Sequence, residues 1–216
     1  MKILPVTFIM WVKNMNNIIS SIKKHIGVVV LALCIGLIIL LPTVLSIDKI
    51  GWNQFRGIYP VLNDDEAYYN TLTREVYDGH NSLSNPFIKE YKNGPYLFPP
   101  LPEIISVVIA KTIGVSVVTM AVVNDFFLPA ISVILLYSLL FKITQSKKKS
   151  LCLTGLFFLS FIASFNRPIS PQFHFIFLLA GLNLIWLIAT IKNEIKKVLF
   201  YNISLSIIFG ILVYAY

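Results

Sequence analysis

Residues 26–47 form an apolar run without a single charged side chain. A helix of that length reaches about 33 Å, enough to cross the hydrocarbon core of a bilayer. A backbone in that solvent must satisfy its own polar groups, which leaves helices and closed barrels as the only crossing structures. The run is continuous rather than alternating, so the expected form is a helix. It is too long for the apolar region of a secretory leader, and no small-residue cleavage site follows Leu45. Similar runs occupy residues 119–141, 151–165, 173–191 and 198–216. Charged residues make up 13% of the chain, about half the usual share. These features predict an all-α, polytopic membrane protein with about five transmembrane helices. Residues 1–25 precede the membrane domain 26–216, and the patch 3–12 reads as a short interfacial helix.

The net charge of +8 does not indicate nucleic acid. No basic stripe is interleaved with aromatic residues, as a nucleic-acid surface would require. Instead Lys23-Lys24, Lys147-Lys148-Lys149, and Lys192 with Lys196-Lys197 flank the apolar runs. That placement follows the positive-inside rule and predicts that all three groups face the cytoplasm, with the N-terminus inside. An even number of crossings must then separate the first group from the second. Runs 26–47 and 119–141 supply two. Residues 103–118, apolar but short and holding Lys111, therefore lie along the membrane or re-enter it. The loop 48–118 and the short loop 166–172 fall on the non-cytoplasmic side, as does the C-terminal end of the chain. A bacterial plasma membrane is the expected location.

Loop 48–118 holds the unusual residues. Asn63-Asp64-Asp65 suit a helix N-terminus. The segment from Glu66 to Asp78 reads as a short amphipathic helix, with Gly79 as its C-terminal stop. Asn85-Pro86-Phe87 starts a turn, and Gly94-Pro95, Pro99-Pro100 and Pro102 break regular structure. Tyr59, Tyr68, Tyr69, Tyr77, Tyr91, Tyr96 and Trp52 supply flat aromatic faces, which suit a membrane interface or a sugar ring. Three adjacent carboxylates at such a place have two chemical uses. One is general-base catalysis on an acceptor hydroxyl. The other is holding a divalent cation.

The order of these motifs resembles the GT-C superfamily of membrane glycosyltransferases, which includes protein O-mannosyltransferases and aminoarabinose transferases of lipid A. The matching residues are Asp64-Asp65-Glu66-Ala67-Tyr68-Tyr69, Tyr77-Asp78-Gly79-His80, Asn85-Pro86-Phe87 and Pro99-Pro100-Leu101-Pro102-Glu103. The likeness covers roughly residues 26–190. It implies membrane-parallel helices in the first outer loop and an inverting transfer of sugar from a polyprenyl-phosphate donor. It also implies an acidic residue of that loop as base or acceptor-positioning group: Asp65 first, with Glu66 and Asp64 in support. The family has more spans than this chain. The chain also stops at Tyr216, directly at the end of an apolar run. Both features suggest the N-terminal portion of a longer protein.

Four further residues are candidates for substrate binding. Arg167, in the short outer loop, suits a lipid phosphate through bidentate donation. Asp125, near the outer end of run 119–141, should face protein or water rather than lipid. His80 and His174 complete the set. Lys111 either snorkels to the interface or meets carrier phosphate. Cys34 and Cys152 sit inside apolar runs and read as packing residues. No secure metal-ligand spacing and no Rossmann or phosphate-loop fingerprint is present. The expected partners are membrane lipid and a lipid-linked sugar donor, with a divalent cation left open. The rival readings are a transporter or flippase of lipid-linked saccharides and a non-catalytic membrane subunit. A transporter would carry charges deep within several spans.

Overall fold

The computed structural model describes residues 20, 23–55, 64–82, 84–85, 87–91, 94–95, 100–161, 170–191 and 194–215. For 64–67, 170–171 and 214–215 it describes the backbone alone. The described residues form seven α-helices: α1 (Ile26–Ile50), α2 (Asp64–Tyr77), α3 (Leu101–Ile113), α4 (Val117–Thr144), α5 (Lys147–Phe161), α6 (Ser170–Thr190) and α7 (Ile195–Ala215). A single 3-10 turn, Lys89–Tyr91, lies between α2 and α3. The interfacial helix expected over 3–12 lies outside the described residues.

Four helices, α1, α4, α6 and α7, are long and apolar enough to cross a membrane. The fifth expected span is represented by α5, whose 15 described residues extend about 22 Å. The packing shows what α5 must do. Helices α1 and α4 are antiparallel: His25 Nδ1 lies 2.8 Å from the Tyr137 hydroxyl, and Thr43 donates to Asp125 at 2.9 Å. Helices α4 and α6 are parallel. Leu128 packs on Phe173 near their starts, and Lys142 donates to Asn183 at 2.7 Å farther along. The chain between α4 and α6 therefore returns the length of the bundle, and α5 is its described part.

The core is a stripe along α1. Val28, Ala32, Ile35 and Ile39 recur at helical spacing and bury themselves against Ala130, Val133 and Tyr137 of α4 and Phe158 of α5. The opposite stripe, including Val30, Leu33, Leu37, Leu41 and Val44, is exposed. An apolar outer face of this kind is the signature of a lipid-facing helix rather than a soluble one. Cys34 and Cys152 lie on exposed faces as free thiols. Gly36 allows α1 and α4 their close approach: a Cβ there would stand 2.9 Å from the Phe126 carbonyl oxygen.

The same packing sorts the charges. At one end of the bundle gather Lys23, Lys24, Lys142, Lys147, Lys148, Lys149, Lys196 and Lys197, with Glu194 as the one carboxylate among the described residues there. Glu194 pairs with Lys197 at 2.6 Å. The three basic groups thus share one end, as the charge argument required. The other end carries α2 and α3.

Helix α3 spans 13 residues and is too short to cross on its own. It ends at Gly114, in the left-handed region with φ 74°. Ser116 then caps α4 by accepting from the Thr119 amide. This tight link folds α3 back along the first turns of α4, where Asn124 donates to Ser106 at 3.2 Å. The expectation that 103–118 is not a separate crossing agrees with this hairpin.

Candidate functional site

The platform at this end is a two-helix layer. Leu72 and Val76 of α2 bury themselves against Val107 of α3, with Tyr68, Tyr69, Tyr77 and Ile104 around them. Lys111 Nζ sits 4.9 Å from the centroid of the Tyr77 ring, a cation–π contact between the far ends of the two helices. This contact occupies the lysine that sequence reasoning offered to a carrier phosphate. At the near ends, Tyr68 of α2 and Ile104 of α3 join the same cluster, with the Glu103 carboxyl within electrostatic range of the phenol. The two helices are therefore parallel, and both open at the same place.

That opening is acidic on both sides. Asp64, Asp65 and Glu66 form the first turn of α2. Glu103 lies in the first turn of α3. Helix N-termini carry partial positive charge from their unsatisfied amides, so carboxylates are favoured there. Asp64 and Asp65 precede Tyr68 by four and three residues, about one helical turn along the α2 backbone. The backbone thus brings the acidic triplet to the end of the layer where Glu103 is buried.

Glu103 was quoted within a proline-rich motif, and sequence reasoning gave it no role. It is 3% exposed. Its Oε2 has no hydrogen-bond partner among the described residues. Burial pushes the carboxyl up to about 7, opposed in part by its own backbone amide. Tyr68 is raised as well, by burial first and then by Tyr69 and Glu103. One sequence signal pointed here. Glu103 shares the helical face of Ser106, Val107 and Ala110, all of them buried.

The loop after α2 folds over the same end. Gly79, at φ 97°, ends the helix as its spacing predicted. The amides of Gly79 and His80 return to the carbonyls of Val76 and Glu75, a Schellman stop. His80 is half-buried, with Nδ1 3.4 Å from Glu75 Oε2. That contact holds it at the C-terminal end of α2, away from the acidic N-terminus. Asn85 Oδ1 accepts from the Phe87 amide at 3.0 Å, which makes the expected turn. Phe87 then stacks on Tyr68, with ring centroids 6.0 Å apart. Ser84 donates to the Tyr91 carbonyl, closing the loop.

The remaining candidates are dispersed. Asp125 is buried and accepts from Thr43, so it ties α4 to α1. Its neighbour Asn124 ties α4 to α3 through Ser106. A helix turns about 100° per residue, which lets these consecutive side chains serve two different neighbours. Asn124, Ser106, Asn70 and Thr73 line a narrow crevice where α2, α3 and α4 meet. His174 is half-buried in the first turns of α6, next to the buried Gln172 and Phe173. Arg167 lies outside the described residues. No group of three metal-binding side chains is gathered among the described residues.

Neither a family model, nor a curated protein, nor a solved structure matches the chain.

Proposed function

We propose that the chain belongs to a membrane glycosyltransferase that moves a sugar from a polyprenyl-phosphate donor to an acceptor on the non-cytoplasmic side. The observation that carries this reading is the pair of parallel helix N-termini, one headed by Asp64-Asp65-Glu66 and the other holding Glu103, at the end of the bundle opposite the lysine groups 23–24, 147–149 and 196–197. The motif resemblance supplies the chemistry. Charge placement supports the orientation, because basic loops stay in the cytoplasm and the acidic platform then faces outward. A bacterial plasma membrane is the proposed location.

In the reaction, the Asp65 carboxylate accepts the proton of the acceptor hydroxyl as that oxygen attacks the anomeric carbon. The bond from that carbon to the phosphate oxygen breaks. The polyprenyl phosphate leaves with the electron pair, and the sugar carbon inverts. Glu66 and Asp64 support the base or position the acceptor. Arg167 pairs with the carrier phosphate, where a planar guanidinium binds two oxygens at once. A nearby carboxyl, while it is protonated, does not raise the pKa of the base by like-charge repulsion.

The test is a transfer assay in membranes containing the full-length protein. Labelled hexose should move from undecaprenyl-phosphate hexose to membrane or envelope acceptors. It should not move directly from a nucleotide sugar when the lipid carrier is absent. Membranes that show no transfer above those lacking the protein would overturn the assignment.

A further inference from the structure

We infer that Glu103 is a positioning residue: its protonated carboxyl lets α2 dock on α3 and so fixes where the acidic turn at the head of α2 stands. The inference deepens the transferase reading in its functional consequence, whereas the docking itself stands apart from it.

The geometry is that of a latch. Glu103 is almost completely buried on the face of α3 that carries Ser106, Val107 and Ala110, and Val107 on that face packs against Leu72 and Val76 of α2. From α2 the facing titratable groups are Tyr68 and, behind it, Tyr69. On α3 itself, Lys111 lies two turns away and stands over the Tyr77 ring. Helix α4 presents Asn124 to Ser106, one turn on from Glu103, while Asp125 turns toward Thr43 of α1. Helix α7 meets this end of α3 with Gly210 and Ile211 across an apolar groove walled by Pro100, Leu101 and Ile104. No described salt bridge involves Glu103, and Oε2 has no hydrogen-bond partner among the described residues.

A neutral carboxyl tolerates such surroundings far better than a carboxylate. An ionised Glu103 must regain water or a cation, and the short way to either is to part α2 from α3 at the Tyr68 end. The same event puts a negative charge at the end of the layer where the α2 backbone begins. The first turn of α2 then shifts, and the Asp65 backbone with it, because Tyr68 follows it by one turn of the same helix. Loss of one proton thus moves the proposed base without touching substrate. The upward shift of the Glu103 carboxyl, caused by burial, puts this event near neutral pH.

Hydrogen–deuterium exchange of the protein in lipid nanodiscs reads the latch directly. Wild type and Glu103→Gln are compared at pH 6 and pH 8.5, each pair at the same pH so that intrinsic exchange rates cancel. Amides of α2 in the wild type should lose protection about tenfold more than those of Glu103→Gln on going to the higher pH, since ionisation then outweighs protonation by at least that factor. Glu103→Met, which also cannot ionise, should behave as Glu103→Gln does, and it serves if the amide disturbs folding. Equal loss of protection in wild type and both variants would overturn the latch.

In the transfer assay, wild-type activity should fall on the alkaline side, and Glu103→Gln should remove that limb of the pH profile. An unchanged alkaline limb would overturn the positioning role. Absent transfer with a pH-dependent α2 would overturn the transferase reading and leave the latch standing.

Discussion

Glu103 of α3 is buried beside Ile104, which shares one apolar cluster with Tyr68 of α2, and burial makes both Glu103 and Tyr68 hold their protons more tightly. The pair joins the two short helices at the end where both begin. Its energetic consequence follows from linkage. The carboxyl titrates at about 7 in the fold, against 4.5 as its ordinary value. Between those values the unfolded chain has released a proton that the folded chain keeps, so stability falls as pH rises. The stabilising contribution is complete below about pH 4.5 and is lost by about pH 7, a change of about 3 kcal/mol. Thermal unfolding in nanodiscs should show the midpoint of the wild type declining across that window. The midpoint of Glu103→Gln should decline less, by the share due to this one group.

The contact of Thr43 with Asp125 predicts a second sensitivity. Both side chains are buried, and the hydroxyl donates at 2.9 Å to a carboxyl between two apolar helices. Thr43→Val keeps the shape and removes the donor. It should cost about 1–3 kcal/mol of stability, because Asp125 loses a buried partner. Thr43→Ser should retain most of the stability. Unfolding midpoints of the two variants measured side by side check the difference.

Gly36 offers a test of the α1–α4 contact. An added Cβ would meet both the ring and the carbonyl oxygen of Phe126 at 2.9 Å. Backbone oxygen cannot swing aside as a flexible side chain does. Gly36→Ala should therefore push the helices apart and destabilise the protein by about 1–3 kcal/mol. Gly210→Ala, in α7, meets nothing within 4 Å and is the control. Equal unfolding midpoints for the two variants would contradict the packing described.

Much of this architecture was legible in the sequence because its signals are local. A charge-free run is a span, Gly79 ends α2, and lysine groups at one end follow from counting crossings. Parity implies that 103–118 is not a separate crossing, and the short α3 agrees, although its hairpin on α4 is not written in the charge pattern. Glu103 was not legible in the same way. Its position beside Pro100 and Pro102 marks a helix start, and its burial follows from tertiary packing that local pattern does not carry. Asp125 was seen as an unusual charge, but its partner Thr43 lies 82 residues away and leaves no trace in local pattern. Lys111 likewise finds Tyr77 only once two helices lie parallel.

Orientation is open to chemical labelling. With Cys34 and Cys152 replaced by Ala, a single cysteine at Asn81 should react with a membrane-impermeant maleimide in intact cells. A single cysteine at Lys148 should react only after the membrane is opened. The two sites flank opposite ends of the bundle, and both native residues are exposed. The reverse pattern would invert the topology and place the acidic platform in the cytoplasm.

The most direct test of the central claim is the rate of hexose transfer from undecaprenyl-phosphate hexose in membranes carrying the full-length protein, wild type against Asp65→Asn. The substitution removes the proton acceptor while keeping size and helix register. It should lower the rate by about 10²–10⁴-fold, the span expected for loss of a general base, with protein abundance unchanged. Equal rates for the two proteins would contradict the role assigned to Asp65.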